Sequence, residues 1–488
     1  MAPNVRLTED ERDFFRLVTA AAFTNPFSRE RKRLDRRISG VKDPGLGKDE
    51  HNRIVNRKIV EQIGQLERAG KANICWYEGE DRRIVEMALL LGLWSRFGND
   101  IDVFIDRQMG AGDKSIRVPI AGEVLGALAR YGFTPDDAIK YFSAFYQLRR
   151  AAYFIESTII GVSPSMYRLR HHLWNCIFTT NLDFYDTHLW NRMEDFSTLL
   201  LGETGTGKGS VAAAIGRSCF IPFDATSGCF AESFTRSFVA INLSQYPESL
   251  IESELFGHRK GAYTGAVDHY DGVFSRCSPH GAIFLDEIGD LSVPIQTKLL
   301  RVLQDRVYLP VGGSEVRRFQ GRVIAATNRP LDELRRSGQF RDDFYYRLCS
   351  DIIELPTLRQ RLQEEPGELD VLVGHILARM VGEAQSGLVS RVLNALRRDL
   401  PANYPWPGNV RELEQAVRRV LLTGSYRGND LTSASKHIHL EIENGNIDAP
   451  TLLKTYCRLL YEKYGTYEDV ARHTKLDRRT VKKYLQRD

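Results

Sequence analysis

The feature that most constrains this 488-residue chain is a short apolar strand, Ser197 to Leu201, that runs into GETGTGKG at 202–209 and then into helix-forming VAAAIGRS. Strand, glycine-rich turn and helix start together define a phosphate-binding loop in an α/β fold with a parallel sheet. Gly202, Glu203, Thr204, Gly205, Thr206 and Gly207 let backbone N–H groups close around phosphate, and Lys208 reaches the β and γ oxygens. Gly209 and Ser210 open the helix, and Gly209 stands where Ser or Thr normally offers a hydroxyl to Mg2+. The metal then relies on water, phosphate and another carboxylate, which GAIFLDEIGD supplies at the end of an apolar strand. Asp286 would hold Mg2+ through its shell, and Glu287 would orient and deprotonate the attacking water. IAATN (324–328) reads as a further buried strand ending in polar Asn328. These residues point to ATP and Mg2+.

Charge adds a second constraint. The chain carries 67 basic and 63 acidic residues, but residues 451–488 hold ten and five of them, a local +5 that leaves −1 for the rest. A compact basic end suggests a domain meeting a polyanion, against a solvated basic helix face. The opening MAPNVRLTEDERDFF has no basic stretch followed by an apolar run, and no segment approaches 18 uncharged apolar residues, so neither a secretory signal nor a membrane span is expected. Cys75, Cys176, Cys219, Cys229, Cys277, Cys349 and Cys457 are odd in number, scattered and never in C-x-x-C spacing. They read as thiols of a cytoplasmic protein, without a zinc site or disulfide frame.

Along the chain, residues 1–58 are highly charged, and SRERKRLDRR (28–37) reads as a solvated helix face in preference to a nucleic-acid contact. From Ala72, ANICWY predicts a strand, EDRRIVEMALLLGLWSRF a helix, DIDVFID a second strand and PIAGEVLGALARYG another helix. Residues 1–150 are thus expected to form a small α/β or α+β regulatory unit. The Ser-, Asn- and Gly-rich segment 425–450 reads as a linker.

The motifs GETGTGKG, ESELFGHRKGAYTGA (252–266), GAIFLDEIGD, IAATN, FRDDFYYRL (340–348), LPTLRQR (355–361) and WPGNVREL (406–413) occur in order. Together they resemble the central AAA+ domain of the sigma-54-dependent transcription activators, over about 157–422. The resemblance implies an ATPase subdomain at 157–355, a small helical lid at 356–424 and a homo-oligomeric, usually hexameric, ring hydrolysing ATP at subunit interfaces. In such a ring Arg341 and Arg347 act in trans on a neighbour's γ-phosphate. The competing reading is surface arginines paired with Asp342 and Asp343. Arg411 matches the sensor arginine of the lid and Asn328 the sensor at the strand end. Asn242 matches the residue that pairs with the catalytic glutamate, against a buried Asn satisfied by backbone. Gly261, Ala262, Tyr263, Thr264, Gly265 and Ala266 match the loop that engages sigma-54, with Tyr263 replacing the usual Phe.

Beyond Tyr263, further features depart from the family pattern: Gly209 replaces a usual Glu, Pro310 in VYLPVGG (307–313) stands where Arg is frequent, and two insertions are present. The insertions, NLDFYDTHLWNRMED (181–195) and FDATSGCFAESFTRS (223–237), are expected to project as surface loops.

Residues 451–463 predict an amphipathic helix with Leu452, Leu453, Tyr456, Leu459 and Leu460 on one side. TYEDVARHT and DRRTVKKYLQ then read as helix, turn, helix, with Asp477 as N-cap. This resembles a Fis-type helix-turn-helix, in an all-α domain at 451–488. Arg478, Arg479, Thr480, Lys482 and Lys483 would point outward to DNA, while Val481, Tyr484 and Leu485 pack inward; a basic hairpin serving oligomerisation is the competing reading. The functional expectation is an ATP-hydrolysing activator that remodels sigma-54 RNA polymerase promoter complexes from an upstream DNA site. The alternatives are a DNA-binding nucleotide switch and a ring acting on another client.

Overall fold

The computed structural model describes residues 5–41, 48–382, 386–428 and 447–486. It divides into two compact units, Met1–Val389 with Pro405–Gln415, and Ser390–Tyr404 with Ala416–Asp488.

The first unit begins with seven helices: α1 (Glu9–Phe23), α2 (Arg29–Ser39), α3 (Lys48–Arg68), α4 (Gly79–Ala111), α5 (Ala121–Arg130), α6 (Pro135–Thr158) and α7 (Pro164–Phe178). The expected α/β character of this region is corrected. ANICWY forms only a single 3-10 turn at Ile74–Trp76, and DIDVFID lies inside α4. Its apolar residues alternate, which imitates a strand. Burial, however, follows the helical spacing Ile101, Phe104, Ile105, Gln108, while Val103 is 50% exposed. α6 is continuous through 150–157, where a boundary between regulatory and ATPase regions was expected.

A five-stranded parallel sheet follows, in the order β4–β5–β8–β1–β9, from β1 (Thr198–Leu201), β4 (Phe238–Asn242), β5 (Ala282–Asp286), β8 (Arg322–Thr327) and β9 (Asp351–Glu354). All six residues of β8 and four of the five in β5 are buried, as expected of strands covered on both faces. Register fixes the site: Leu201 pairs with Thr327, and Asp286 lies opposite both Asn242 and Ala326. The carboxyl ends of β1, β5 and β8 therefore converge, where α/β sheets bind ligands.

The second insertion is not a projecting loop. It forms the hairpin β2 (Phe223–Asp224) with β3 (Cys229–Phe230), as β6 (Val307–Tyr308) does with β7 (Arg317–Arg318), and Phe223, Phe230 and Phe234 are buried in the core of the N-terminal helices. Phe230 stacks on Tyr146 of α6, and Phe234 packs edge-on against Phe154. The first insertion turns through Leu182–Phe184 and Tyr185–Leu189, with Tyr185 buried. The second insertion thus buries its aromatic area against the body, and the first buries Tyr185 while leaving Phe184 half exposed.

Helices Leu358–Glu364, Glu368–Val381, Ser386–Asp399 and Asn409–Thr423 follow β9. Most of the expected linker, 429–446, lies outside the described residues. The chain closes with helices Ala449–Tyr464, Tyr467–Thr474 and Arg478–Gln486 around buried Cys457, Val470 and Val481. Leu460, Tyr484 and Leu485 pack on that small core, whereas Tyr456, expected on the apolar side, is 45% exposed. Cys457, one residue on, takes the inward position.

Candidate nucleotide site

The phosphate loop joins β1 to helix Lys208–Gly216, with Gly207 left-handed at its N-cap. Lys208 is buried, and its Nζ donates to the carbonyls of Gly202 (2.8 Å) and Glu203 (3.2 Å). Burial pushes the Lys208 ammonium below its ordinary range, partly opposed by Glu287 and Asp286. Burial also raises both the Asp286 and Glu287 carboxyls, against the nearby Lys208. Two carboxylates and one ammonium thus face a shared, partly desolvated space. Thr206 Oγ1 donates to the Glu203 carbonyl, while Gly209 and Ser210 are exposed in the first helical turn.

Glu287 has φ of 58°, an uncommon conformation for a residue with a side chain. The turn carries it from the β5 axis toward β8, where the Asn328 N–H donates to Glu287 Oε2 (3.3 Å). Asn328 Nδ2 in turn donates to Thr204 Oγ1 (2.8 Å), so one residue bridges the general-base candidate and the phosphate loop. Asn242 departs from the expected pairing. Its Nδ2 faces Asp286 Oδ2 at 3.4 Å rather than Glu287, because β4 and β5 place Asn242 opposite Asp286 while Glu287 turns away.

A segment near residue 408 closes over the loop. The Val410 N–H donates to the Gly205 carbonyl (3.1 Å), and the Arg411 guanidinium acts electrostatically on both Lys208 and Asp286. Asn409 and Arg359, assigned no role from sequence, belong here. Asn409 is fully buried with φ of 52°, donates to Thr204 O (3.0 Å) and Glu203 Oε2 (3.1 Å), and accepts from the Leu358 N–H (2.8 Å). Arg359 pairs with the Glu203 carboxylate. Asn409 lies within the WPGNVREL motif and its turn-forming Pro-Gly-Asn, but its role there is not local, since Glu203 and Thr204 lie some two hundred positions away.

Arg341 and Arg347 are not brought to this site by any described hydrogen bond within the chain. Arg341 pairs with Asp343 (2.6 Å), Arg347 Nε donates to the Leu303 carbonyl, and Asp342 goes to Arg335.

Gly261–Ala266 form a tight loop on another edge. Gly261 N–H donates to Ala266 O (2.8 Å), Gly261 and Gly265 have φ of 79° and 106°, and Ala266 is buried beneath exposed Thr264 and Tyr263. Tyr263 stands edge-on to His258, and the His258–Arg259 backbone is tied to the second loop. Arg259 N–H donates to Val311 O (3.0 Å), Val311 N–H to Gly257 O (2.9 Å), and a Cβ on Gly312 would lie 2.8 Å from Ala262 Cβ. Pro310 leaves this coupling intact, its carbonyl accepting from Gly313 N–H.

In the C-terminal helices, Arg479 N–H donates to the Asp477 carboxylate (2.7 Å), as expected of an N-cap. Arg478, Arg479, Lys482 and Lys483 are exposed, Thr480 is half-buried, and Arg478 pairs with Glu468 of the preceding helix (2.8 Å).

The family model described as the Sigma-54 interaction domain matches residues 187–354, and that of an AAA+ ATPase lid domain matches 363–449. The chain is 42% identical over 262 residues to the DNA-binding transcriptional regulator NtrC of Azospirillum brasilense, covering 54% of this chain and 47% of the relative. It is 38% identical over 270 residues to the Nif-specific regulatory protein of Azotobacter vinelandii, covering 55% and 45%. With the Sigma54-dependent transcriptional activator SfnR of Pseudomonas putida it shares 39% identity over 280 residues, covering 56% of this chain and 71% of the relative. The match thus spans about half the length of the first two relatives.

Proposed function

The chain belongs to the sigma-54-dependent transcriptional activators, and from that premise we propose that it hydrolyses ATP to remodel sigma-54 RNA polymerase promoter complexes. The observation that carries the reading is the Glu287–Asn328–Thr204 connection, which sets a carboxylate base against the phosphate loop.

In this reading Lys208 releases its two carbonyl partners to neutralise β and γ oxygens, and the backbone of 203–207 cradles the phosphates. Asp286 fits an Mg2+ shell: it lies beside the loop, its Oδ1 accepts from the Glu287 N–H (3.1 Å) and its Oδ2 takes a long contact from Asn242, and burial favours a cation beside it. Among the described residues no three His, Cys, Asp or Glu side chains cluster, so phosphate and water oxygens would complete that shell. Bound Mg2+ supplies charge neutralisation at the phosphates. Glu287 accepts the proton of the attacking water.

Arg341 and Arg347 serve a neighbouring copy in a ring, exchanging Asp343 and Leu303 O for phosphate oxygens. The Gly261–Ala266 loop meets sigma-54 with Tyr263 and Thr264 at its exposed tip. Exposed Arg479, Lys482 and Lys483 hold upstream DNA, with multivalency in the ring raising a weak individual affinity. Such a protein works in the cytoplasm, and none of its described helices is long and apolar enough to cross a membrane.

The test compares wild type with Glu287→Gln. The variant is expected to bind ATP normally and to lose turnover by about 100-fold or more. It should also hold sigma-54 in nucleotide-dependent co-elution, and Thr264→Ala should abolish that co-elution. Absence of turnover in assembled wild type would refute the ATPase reading.

A further inference from the structure

A cavity of about 630 Å3 lies between the N-terminal helices and the phosphate-loop body, with all its walls inside the first compact unit. That size suits a small organic ligand. Trp94, Phe145, Trp174 and Trp190 give it ring surfaces, and three of the chain's five tryptophans are among them. Asn52, Asn56, Asn99 and Ser95 add uncharged hydrogen-bonding groups.

Its charges are largely balanced already. Arg31 pairs with Asp35 (2.8 Å), Lys140 with Asp186 (2.9 Å) and Arg149 with Asp102, while Arg53 and Glu156, of opposite sign, are exposed to solvent. An ionic ligand would give up water without gaining an uncompensated partner, whereas a ring gains burial against rings.

The wall is wired to the phosphate loop. Gln147 of α6 is 2% exposed, accepts from the Tyr185 hydroxyl (2.9 Å) and donates to the Ser218 carbonyl (3.0 Å). One turn on, fully buried Arg150 donates to the Arg217 (2.6 Å) and Cys219 (2.7 Å) carbonyls and lies over the Tyr146 ring. These three carbonyls directly follow helix Lys208–Gly216. Tyr185 and Gln147 also line the cavity, so anything that occupies it bears on the group holding Ser218.

We infer that this cavity binds a neutral, ring-bearing small molecule with hydrogen-bonding groups, and that Gln147 transmits its occupancy to the C-terminal end of the phosphate-loop helix. Binding stands apart from the proposed function; its consequence for hydrolysis rests on that reading.

The probe is N-phenyl-1-naphthylamine, a neutral aromatic amine, added to the full-length chain without nucleotide. Saturable binding of one probe per chain is expected, with energy transfer from tryptophan. Ala144→Phe and Ala152→Phe, which fill the cavity from α6, should each abolish it while circular dichroism is unchanged. Bound probe should slow amide hydrogen exchange in residues 87–95, 140–152 and 217–219. Gln147→Leu should keep the probe and lose the effect at 217–219. Unsaturable binding, binding indifferent to both Phe variants, or protection confined to other segments overturns the site. Protection of the walls without any change at 217–219 overturns the transmission. If the Phe variants misfold, the wild-type exchange footprint decides. Probe binding without ATP turnover would refute the proposed function and leave the site standing.

Discussion

Gly205 and Gly207 separate two effects that a phosphate loop usually confounds. Both have positive φ, 82° and 102°, so alanine at either is strained by about 1–2 kcal/mol. Their surroundings differ. A Cβ at Gly205 would lie 2.2 Å from the Gly408 carbonyl oxygen and 3.1 Å from Arg411 Cβ, whereas a Cβ at Gly207 meets nothing within 4 Å. Relieving the overlap requires residues 205 and 408 to separate by about 1 Å, adding roughly 1–3 kcal/mol. It also stretches the 3.1 Å bond from Val410 N–H to Gly205 O, worth about 1 kcal/mol. Gly205→Ala should therefore destabilise by about 3–6 kcal/mol and Gly207→Ala by about 1–2 kcal/mol. Unfolding of the full chain is measured without nucleotide, so lost phosphate binding cannot contribute. At about 1 °C per kcal/mol for a compact unit of about 400 residues, Gly205→Ala should melt about 1–5 °C below Gly207→Ala. Equal melting temperatures would refute the claim that the segment at 408–411 is seated on the loop.

Three further outcomes follow from the same geometry. A Cβ at Gly209 meets only Phe284 Cε1, at 3.9 Å, so Gly209→Ser fits; it should tighten Mg2+-nucleotide binding in titration calorimetry without lowering the melting temperature. Unchanged affinity would place the metal away from residue 209. The Glu368 carboxylate is fully buried, pairs with Arg361 (2.5 Å) and accepts from the Val162 and Ser163 N–H groups, so Glu368→Gln should cost about 3–5 kcal/mol in denaturant unfolding. Burial raises the Glu287 carboxyl above its ordinary range, and only its ionised form can take a proton. Hydrolysis should therefore fall as pH drops through that raised value, at a higher pH than an ordinary carboxylate would set; a flat acidic limb would remove Glu287 as the base.

What sequence made legible was local. Lys208 opens the helix after a glycine-rich turn, and Asp286, Glu287 and Asn328 sit at or just beyond strand ends, so apolar runs and glycines announce all four within ten residues. Asn409 was not announced, because its role exists only when Glu203 and Thr204 are brought against it by folding. DIDVFID misled because seven residues can satisfy both a period of two and a helical spacing. Only the length of α4, which packs against α1, α3 and α6, decides between them. Phe223, Phe230 and Phe234 could have warned against a projecting loop, since three aromatic residues in a surface insertion need cover.

Those aromatics and α6 change how regulation of the phosphate loop can work. Helix Lys208–Gly216 has nine residues, so about 13 Å separates its ends. Its N-terminal end, with Gly207 and Lys208, is where phosphate charge would be held. Its C-terminal end leads into carbonyls held by Gln147 and the cationic Arg150, the charge a helix C-terminus favours. A helix this short, close-packed at Val211, Ala212, Ala214 and Ile215, resists bending. On the transmission inferred above, a shift of α6 would reach the phosphate loop through this one helix. Removing residues before Ser157 would strip Gln147 and Arg150 from three carbonyls and bare Phe223, Phe230 and Phe234. Truncation therefore tests stability before it tests repression. A shortened chain with low turnover would say nothing about whether the helical region activates or represses, unless its melting temperature matched that of the full chain. Arg150→Met and Gln147→Leu in the full chain separate these effects, because they cut the link while leaving the aromatic core in place.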